Sequence, residues 1–199
     1  MNKQSTLYTM IFMFIVAFAF VFLLSLTNEA TKARVELNQE VARKRAILTA
    51  LGVEGLSDQE VLSRFDEVEQ LERDGTTVFR ASVDGQTVYG KEFAGSGLWG
   101  TIEGVLGVNG EVSETVGLEI IEHNETPGLG GRITEPWFKN QFAGENIGDG
   151  IVFTAGDGDT DHENAEVDGI TGASRTTDSM ERIINREIET LQSLVGGNA

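Results

Sequence analysis

From Leu7 to Leu26 the chain reads LYTMIFMFIVAFAFVFLLSL, twenty residues without a charge. At 1.5 Å per residue a helix of that length spans roughly 30 Å, the thickness of a bilayer core. The uncharged stretch extends from Gln4 to Asn28, and residues 1–28 read as a single-pass transmembrane anchor in contact with membrane lipid. A cleavable signal peptide is the alternative. Its apolar region is usually ~7–15 residues and ends at a small-residue cleavage site, and no A-x-A follows the run here. Lys3 precedes the span while Lys32, Arg34, Arg43, Lys44 and Arg45 follow it, a balance that alone would keep the rest of the chain inside. Large domains translocate largely regardless of such charge, so the sidedness stays open on residues alone.

Removing the anchor from 199 residues leaves room for one compact domain. Its composition excludes several chemistries. With 15 Lys and Arg against 32 Asp and Glu, a net charge of -17, the chain repels phosphate backbones, and nucleic acid is not an expected partner. There is no cysteine, which removes thiol nucleophiles, iron–sulfur clusters and Cys-ligated zinc together. Redox chemistry, if present, needs an organic cofactor.

Good helix formers with Ala33, Leu37, Val41 and Leu48 near helical spacing predict a juxtamembrane stalk helix over 29–52, ending at Gly52. Ser57 with Glu60 forms a capping box, and Val61, Leu62, Phe65, Val68 and Leu71 predict a second helix reaching to just before Gly75. The apolar period then changes to two. Asp84-Gly85 lies between Thr77–Val83 and Thr87–Tyr89, and Asn109-Gly110 lies between Thr101–Val108 and Val112–Ile121. Both pairs predict hairpin turns, because these residues tolerate positive φ. Pro136 opens a short helix to about Phe142, Ile151–Thr154 reads as a strand, and Met180, Ile183, Ile184, Ile188 and Leu191 stripe a final helix that stops at Gly196-Gly197. Segregated strands and helices predict an α+β domain over 53–199, containing an antiparallel sheet.

The segment Asp168-Gly-Ile-Thr-Gly-Ala-Ser174-Arg-Thr-Thr-Asp178 places small residues and hydroxyls ahead of that helix, where free N–H groups and the helix dipole favour a phosphate. Spacing alone favours an ordinary loop with Thr177 or Asp178 as N-cap. Trp99, beside Gly97 and Gly100, reads on its own as core, and Pro127 among glycines as a tight turn. His123 with Glu122 and Glu125 reads as a solvated polar turn rather than a metal site. Asp157-Gly-Asp-Thr-Asp161 has carboxylates at the first, third and fifth positions of a calcium loop, but the sixth is His162 instead of Gly and the twelfth is Asp168 instead of Glu. A solvated acidic loop is the expectation.

Asp168, Thr171, Gly172, Ala173 and Ser174 match in order the flavinylation motif Asp-x-x-(Ser/Thr)-Gly-Ala-(Ser/Thr), with Thr176 on a second hydroxyl frequent downstream. The chain thereby resembles the C subunit of the sodium-translocating NADH:quinone reductase and the related G subunit of Rnf complexes. Ser96-Gly-Leu-Trp99-Gly-Thr-Ile-Glu and Glu125-Thr-Pro-Gly-Leu-Gly130-Gly131 resemble further blocks of the quinone-reductase family. The resemblance implies FMN bound through a phosphoester to Ser174, where the family usually has Thr; Thr171, Thr176 and Thr177 are neighbouring hydroxyls. It implies that Trp99 stacks on the flavin and that Thr126, Gly128, Leu129 and Gly130 wall it. It implies a separate flavin transferase for maturation, the other subunits of a membrane NADH:quinone reductase as partners, and a domain on the periplasmic side of the inner membrane. No catalytic acid or base is required of such a relay. An Rnf subunit, or a tethered binding module without redox role, are the other readings.

Overall fold

The computed structural model describes residues 6–156 and 158–196. Lys3 and Gln4 before the span, Asp157 of the acidic loop and Gly197 at the expected helix stop lie outside them.

Helix α1 (Thr6–Ala50) is continuous. Among the described residues it is the one helix long and apolar enough to cross a membrane, and most of its large apolar side chains from Leu7 to Leu26 are exposed. The chain divides into residues 1–40 and residues 41–199. The end of α1 belongs to the second unit. Ala46, Ile47, Leu48, Ala50 and Leu51 are buried there, whereas the sequence reading assigns them to a stalk. Helical spacing marks an apolar face without saying whether it meets a domain core.

The domain is built on five antiparallel strands in chain order. These are β1 (Glu69–Arg73), β2 (Thr76–Val83), β3 (Gln86–Ser96), β4 (Thr101–Asn109) and β5 (Thr115–Glu122). Asp84-Gly85 makes the expected turn, with φ of 51° and 80°. The second helix is shorter than its spacing suggests. The Ser57–Glu60 capping box is present, but α2 (Asp58–Phe65) stops well before Gly75 and Leu71 lies in β1. Asp74 and Gly75 have φ of 50° and 75° and join the cross-strand pair Arg73↔Thr76. Val68 and Leu71 fit a helical stripe, and the Asp-Gly turn with the pairing it permits overrides them. The Asn109-Gly110 expectation is also corrected. The residue with positive φ is Val112, at 54°, and β5 starts at Thr115 rather than at Val112. Asn109 Oδ1 closes the longer loop by accepting from Ser113 N at 2.9 Å, and burial of Val112 in the core holds its unusual backbone.

Each face of the sheet carries an apolar cluster. The end of α1, with Val61 and Phe65 of α2, packs with Phe79, Val88 and Val105. Its seat is a cross-strand row of glycines, Gly90↔Gly107↔Gly117. A Cβ at Gly107 would stand 1.9 Å from the Ala50 carbonyl oxygen, one at Gly117 3.2 Å from the same oxygen, and one at Gly90 3.0 Å from Leu51 Cδ2. The opposite face receives α4 (Ser174–Val195), whose Met180, Ile183, Ile184, Ile188 and Leu191 are buried with Phe93, Ile102 and Leu106. Close approach again requires glycine, since a Cβ at Gly95 would lie 2.4 Å from Ile183 Cγ1.

The short helix α3 (Pro136–Lys139) runs into a 3₁₀ turn at Asn140–Phe142, near the expected helix. Strand β6 (Val152–Ala155) pairs in parallel with β7 (Glu166–Gly169). Sequence reading misses β7 because Glu-Val-Asp-Gly carries little strand propensity. Its backbone is held from outside by the buried Gln141, whose Oε1 accepts from Asp168 N at 2.6 Å and whose Nε2 donates to Asp168 O at 3.1 Å. Near it Glu145 is buried, with Oε2 3.3 Å from His162 Nδ1 and Oε1 without a partner among the described residues. Burial pushes this carboxyl above the usual carboxylate range, with the His162 interaction opposing it.

Alanine at Gly107 should cost at least about 3 kcal/mol in denaturant unfolding, because its collision is with backbone. An unchanged midpoint would refute the backbone contact. A raised folded-state pKa makes a carboxyl's contribution largest in acid, and it is lost as pH rises through that pKa. Glu145→Gln should therefore gain thermal stability relative to wild type as pH rises from 4, and a pH-independent difference in melting temperature would count against this.

Candidate functional site

Three segments distant in sequence enclose a cleft of about 390 Å³. Leu98 and Trp99 come from the turn between β3 and β4, Thr126, Leu129 and Gly130 from the loop after β5, and Gly172–Thr176 from the turn into α4. That volume lies within the range of small-molecule sites. Trp99 is 69% exposed and Leu98 and Leu129 are also exposed, so the cleft presents apolar and aromatic surface to solvent. The core reading of Trp99 on its own is therefore corrected: its neighbouring glycines serve a tight turn, closed by Gly97 N donating to Gly100 O at 2.8 Å.

Between the segments lies Glu125, 4% exposed. Its Oε1 accepts from Leu98 N at 2.8 Å and Trp99 N at 3.0 Å, and its Oε2 accepts from Thr176 Oγ1 at 2.6 Å. Glycines flank the carboxylate. A Cβ at Gly97 would lie 2.5 Å from Oε1, and one at Gly130 2.7 Å from Oε2 and 2.4 Å from Thr176 Oγ1. The expectation of a solvated turn at His123 and Glu125 is thus corrected at Glu125. His123 Nδ1 accepts from Glu125 N at 3.1 Å. Sequence reasoning misses the role of Glu125 because its partners are 26 to 51 positions away.

Ser174 is the first residue of α4, not part of a loop ahead of it, and the N-cap residue Ala173 makes no side-chain cap. The turn closes through Ala173 N donating to Ile170 O at 2.9 Å, with Gly172 at φ 82°. First-turn N–H groups have no partner within a helix, and without a side-chain cap those of Ser174 and Arg175 are open to an anion. The expected N-cap at Thr177 or Asp178 is superseded, since both lie within the helix.

The motif hydroxyls separate by environment. Ser174 is exposed and lines the cleft. Thr176 is 1% exposed and bonded to Glu125. Thr177 Oγ1 accepts from Ile170 N at 3.0 Å, and Thr171 is exposed but outside the cleft lining. Asp168 is also outside it, with Oδ1 accepting from Thr154 Oγ1 at 3.1 Å and Oδ2 from Gly158 N at 2.9 Å. Gly128, at φ 74° with open space around it, shapes the loop without lining the cleft. Gly172, Ala173, Thr176, Trp99, Thr126 and Leu129 join Ser174 there, together with Arg175, which the sequence reading leaves out.

Residues 97–189 match the family described as the FMN-binding domain. The C subunit of the Na(+)-translocating NADH-quinone reductase of Pseudomonas aeruginosa is 30% identical over 118 residues, 55% of this chain and 45% of that protein. The match to that relative therefore spans less than half of its length. The G subunit of the ion-translocating oxidoreductase complex of Methanosarcina acetivorans is 27% identical over 184 residues, 87% of this chain and 88% of that protein. The crystal structure of the C subunit of the Na(+)-translocating NADH-quinone reductase of Parabacteroides distasonis superposes with a TM-score of 0.70 at 23% identity, covering 84% of this chain and 98% of that one. It shares the fold.

Two loop glycines separate strain from collision. Gly128→Ala meets only the penalty of a left-handed backbone, ~1–2 kcal/mol. Gly130→Ala must displace Thr176 or Glu125 and should cost about 2–4 kcal/mol. Thermal unfolding of the two variants should rank Gly130→Ala as clearly the worse, and the reverse order would contradict the packing described.

Proposed function

We propose that this chain, whose residues 97–189 match the FMN-binding domain family and which is similar to the C and G subunits of ion-translocating oxidoreductases, is an electron-transfer subunit of a sodium-translocating NADH:quinone reductase. Its cofactor is FMN, joined through its phosphate to the Ser174 hydroxyl. One observation carries the attachment: of the motif hydroxyls, Ser174 alone is both exposed and in the cleft, at the first residue of an uncapped helix. Open N–H groups and the helix dipole suit a phosphate there. Arg175 lines the same cleft, and its side chain adds positive charge near it.

Leu98, Trp99 and Leu129 offer the ring an apolar and aromatic wall. The flavin supplies reversible electron uptake, and the chain supplies retention, position and electrostatic surroundings. A separate flavin transferase would install the group, with FAD as donor: the Ser174 hydroxyl would take the FMN phosphoryl group, and AMP and the hydroxyl proton would be released. The turn from β7 into α4 carries Gly169 and Gly172 but not the G-x-G-x-x-G spacing of a dinucleotide site, which supports oxidation of NADH by another subunit of the complex. Helix α1 anchors the chain in the inner membrane, and the domain faces the periplasm.

The extent of the alignments favours a second reading. The G-subunit relative is matched over 88% of its length, against 45% for the quinone-reductase relative, so an Rnf-type complex acting on ferredoxin is the alternative. The Trp99 block and Gly130-Gly131 support the quinone reductase. Purification of the native complex decides, by whether it reduces quinone or exchanges electrons with ferredoxin.

Coexpressed with a flavin transferase, the wild type should gain the mass of one FMN less one water and keep flavin fluorescence after denaturation. Ser174→Ala should lose both while folding, since one exposed hydroxyl contributes only ~1 kcal/mol. Retention of the label by Ser174→Ala would move the acceptor to another hydroxyl. A wild type without covalent flavin would sink the reading.

A further inference from the structure

The three donors that meet the Glu125 carboxylate are all neutral. One oxygen takes the backbone of the Trp99 turn and the other takes the first turn of α4, so a single carboxyl group bridges two walls of the cleft. Gly97 and Gly130 stand where any side chain would meet that carboxyl. The apolar cluster that seats α4, with Ile183 and Ile184 against Phe93 and Ile102, adjoins the cleft at Ala173 but does not include Glu125. Removing Glu125 therefore loosens the walls and leaves the elements carrying them in place.

We infer that Glu125 is the positioning residue of the cofactor cleft, fixing the Trp99 turn relative to Ser174 and thereby the surroundings of a flavin held at Ser174. The inference rests on the flavin reading above. Thr176 is its second half: the buried hydroxyl of the motif serves as the donor that ties α4 to the bridge. The carboxyl acts through hydrogen-bond geometry. A glutamine retains an acceptor for both backbone N–H groups and a polar contact to Thr176, whereas alanine retains neither.

The test uses the full chain coexpressed with a flavin transferase, as wild type, Glu125→Gln, Glu125→Ala and Thr176→Val. The readouts are the rate of covalent FMN incorporation, flavin fluorescence, and visible circular dichroism, which reports a fixed asymmetric environment around the ring. Glu125→Gln should resemble wild type in all three. Glu125→Ala and Thr176→Val should keep their far-ultraviolet spectra, incorporate FMN on the order of 100-fold more slowly, and show weaker visible dichroism with brighter fluorescence as Trp99 loses its place. If Glu125→Ala fails to fold, Thr176→Val carries the test, because it keeps both backbone bonds to the carboxylate. Normal flavin signals in a folded Glu125→Ala, or in Thr176→Val, overturn the inference while leaving the functional reading intact. A wild type that never takes up flavin overturns both.

Discussion

A carboxylate 4% exposed to solvent is tolerable only where its hydrogen-bond partners are already in place, because an unpartnered buried charge costs several kcal/mol. At Glu125 those partners come from the Trp99 turn and from α4. The loop conformations on both sides of the cleft are thus conditions for burying this one group, as are the two glycines beside it. The cleft is consequently a product of the tertiary fold. None of its walls is shaped by local sequence alone.

The charge of the chain bears on why a covalent link suits such a site. At a net -17 the domain surrounds itself with negative potential, which disfavours a dianionic phosphate. The end of α4 and Arg175 offset this only locally, and a helix terminus contributes typically 0.3–1 kcal/mol. On the proposed reading, an ester at Ser174 makes retention of the cofactor independent of the surrounding field. The acidic surface is then free to be as negative as solubility or partners demand.

Features carried by contiguous residues were legible in the sequence: the apolar span, the Ser57 capping box, the Asp84-Gly85 turn and the stripe of α4. Misreadings arose where two local signals overlapped. Val68 and Leu71 satisfied a helical period, and only pairing with β2 made Leu71 part of a strand. Asn109-Gly110 looked like a two-residue turn, but the core took Val112 and lengthened the loop. β7 exists through its partners, Gln141 and β6, neither of which is visible from Glu-Val-Asp-Gly. The motif around Ser174 was legible as a run of small residues and hydroxyls. That Thr176 and Ser174 occupy opposite environments, one buried and one open, follows from a half-turn geometry that depends on where α4 begins. Glu125 was legible only as the first residue of a loop block, because its partners lie 26 to 51 positions away.

The row Gly90, Gly107 and Gly117 has a consequence for how sequences of this kind can drift. Most crowded core positions tolerate exchange, since a larger residue on one side can be matched by a smaller one opposite. At Gly107 the opposing atom is the Ala50 carbonyl oxygen, and no substitution at position 50 removes it. A change there has no single-site suppressor on the helix, and only a displacement of the helix end from the sheet would restore the fit. The contact is therefore a ratchet for variation: neighbouring side chains such as Leu51 and Val105 can vary in concert, while the central glycine is held by an atom common to every residue that could face it.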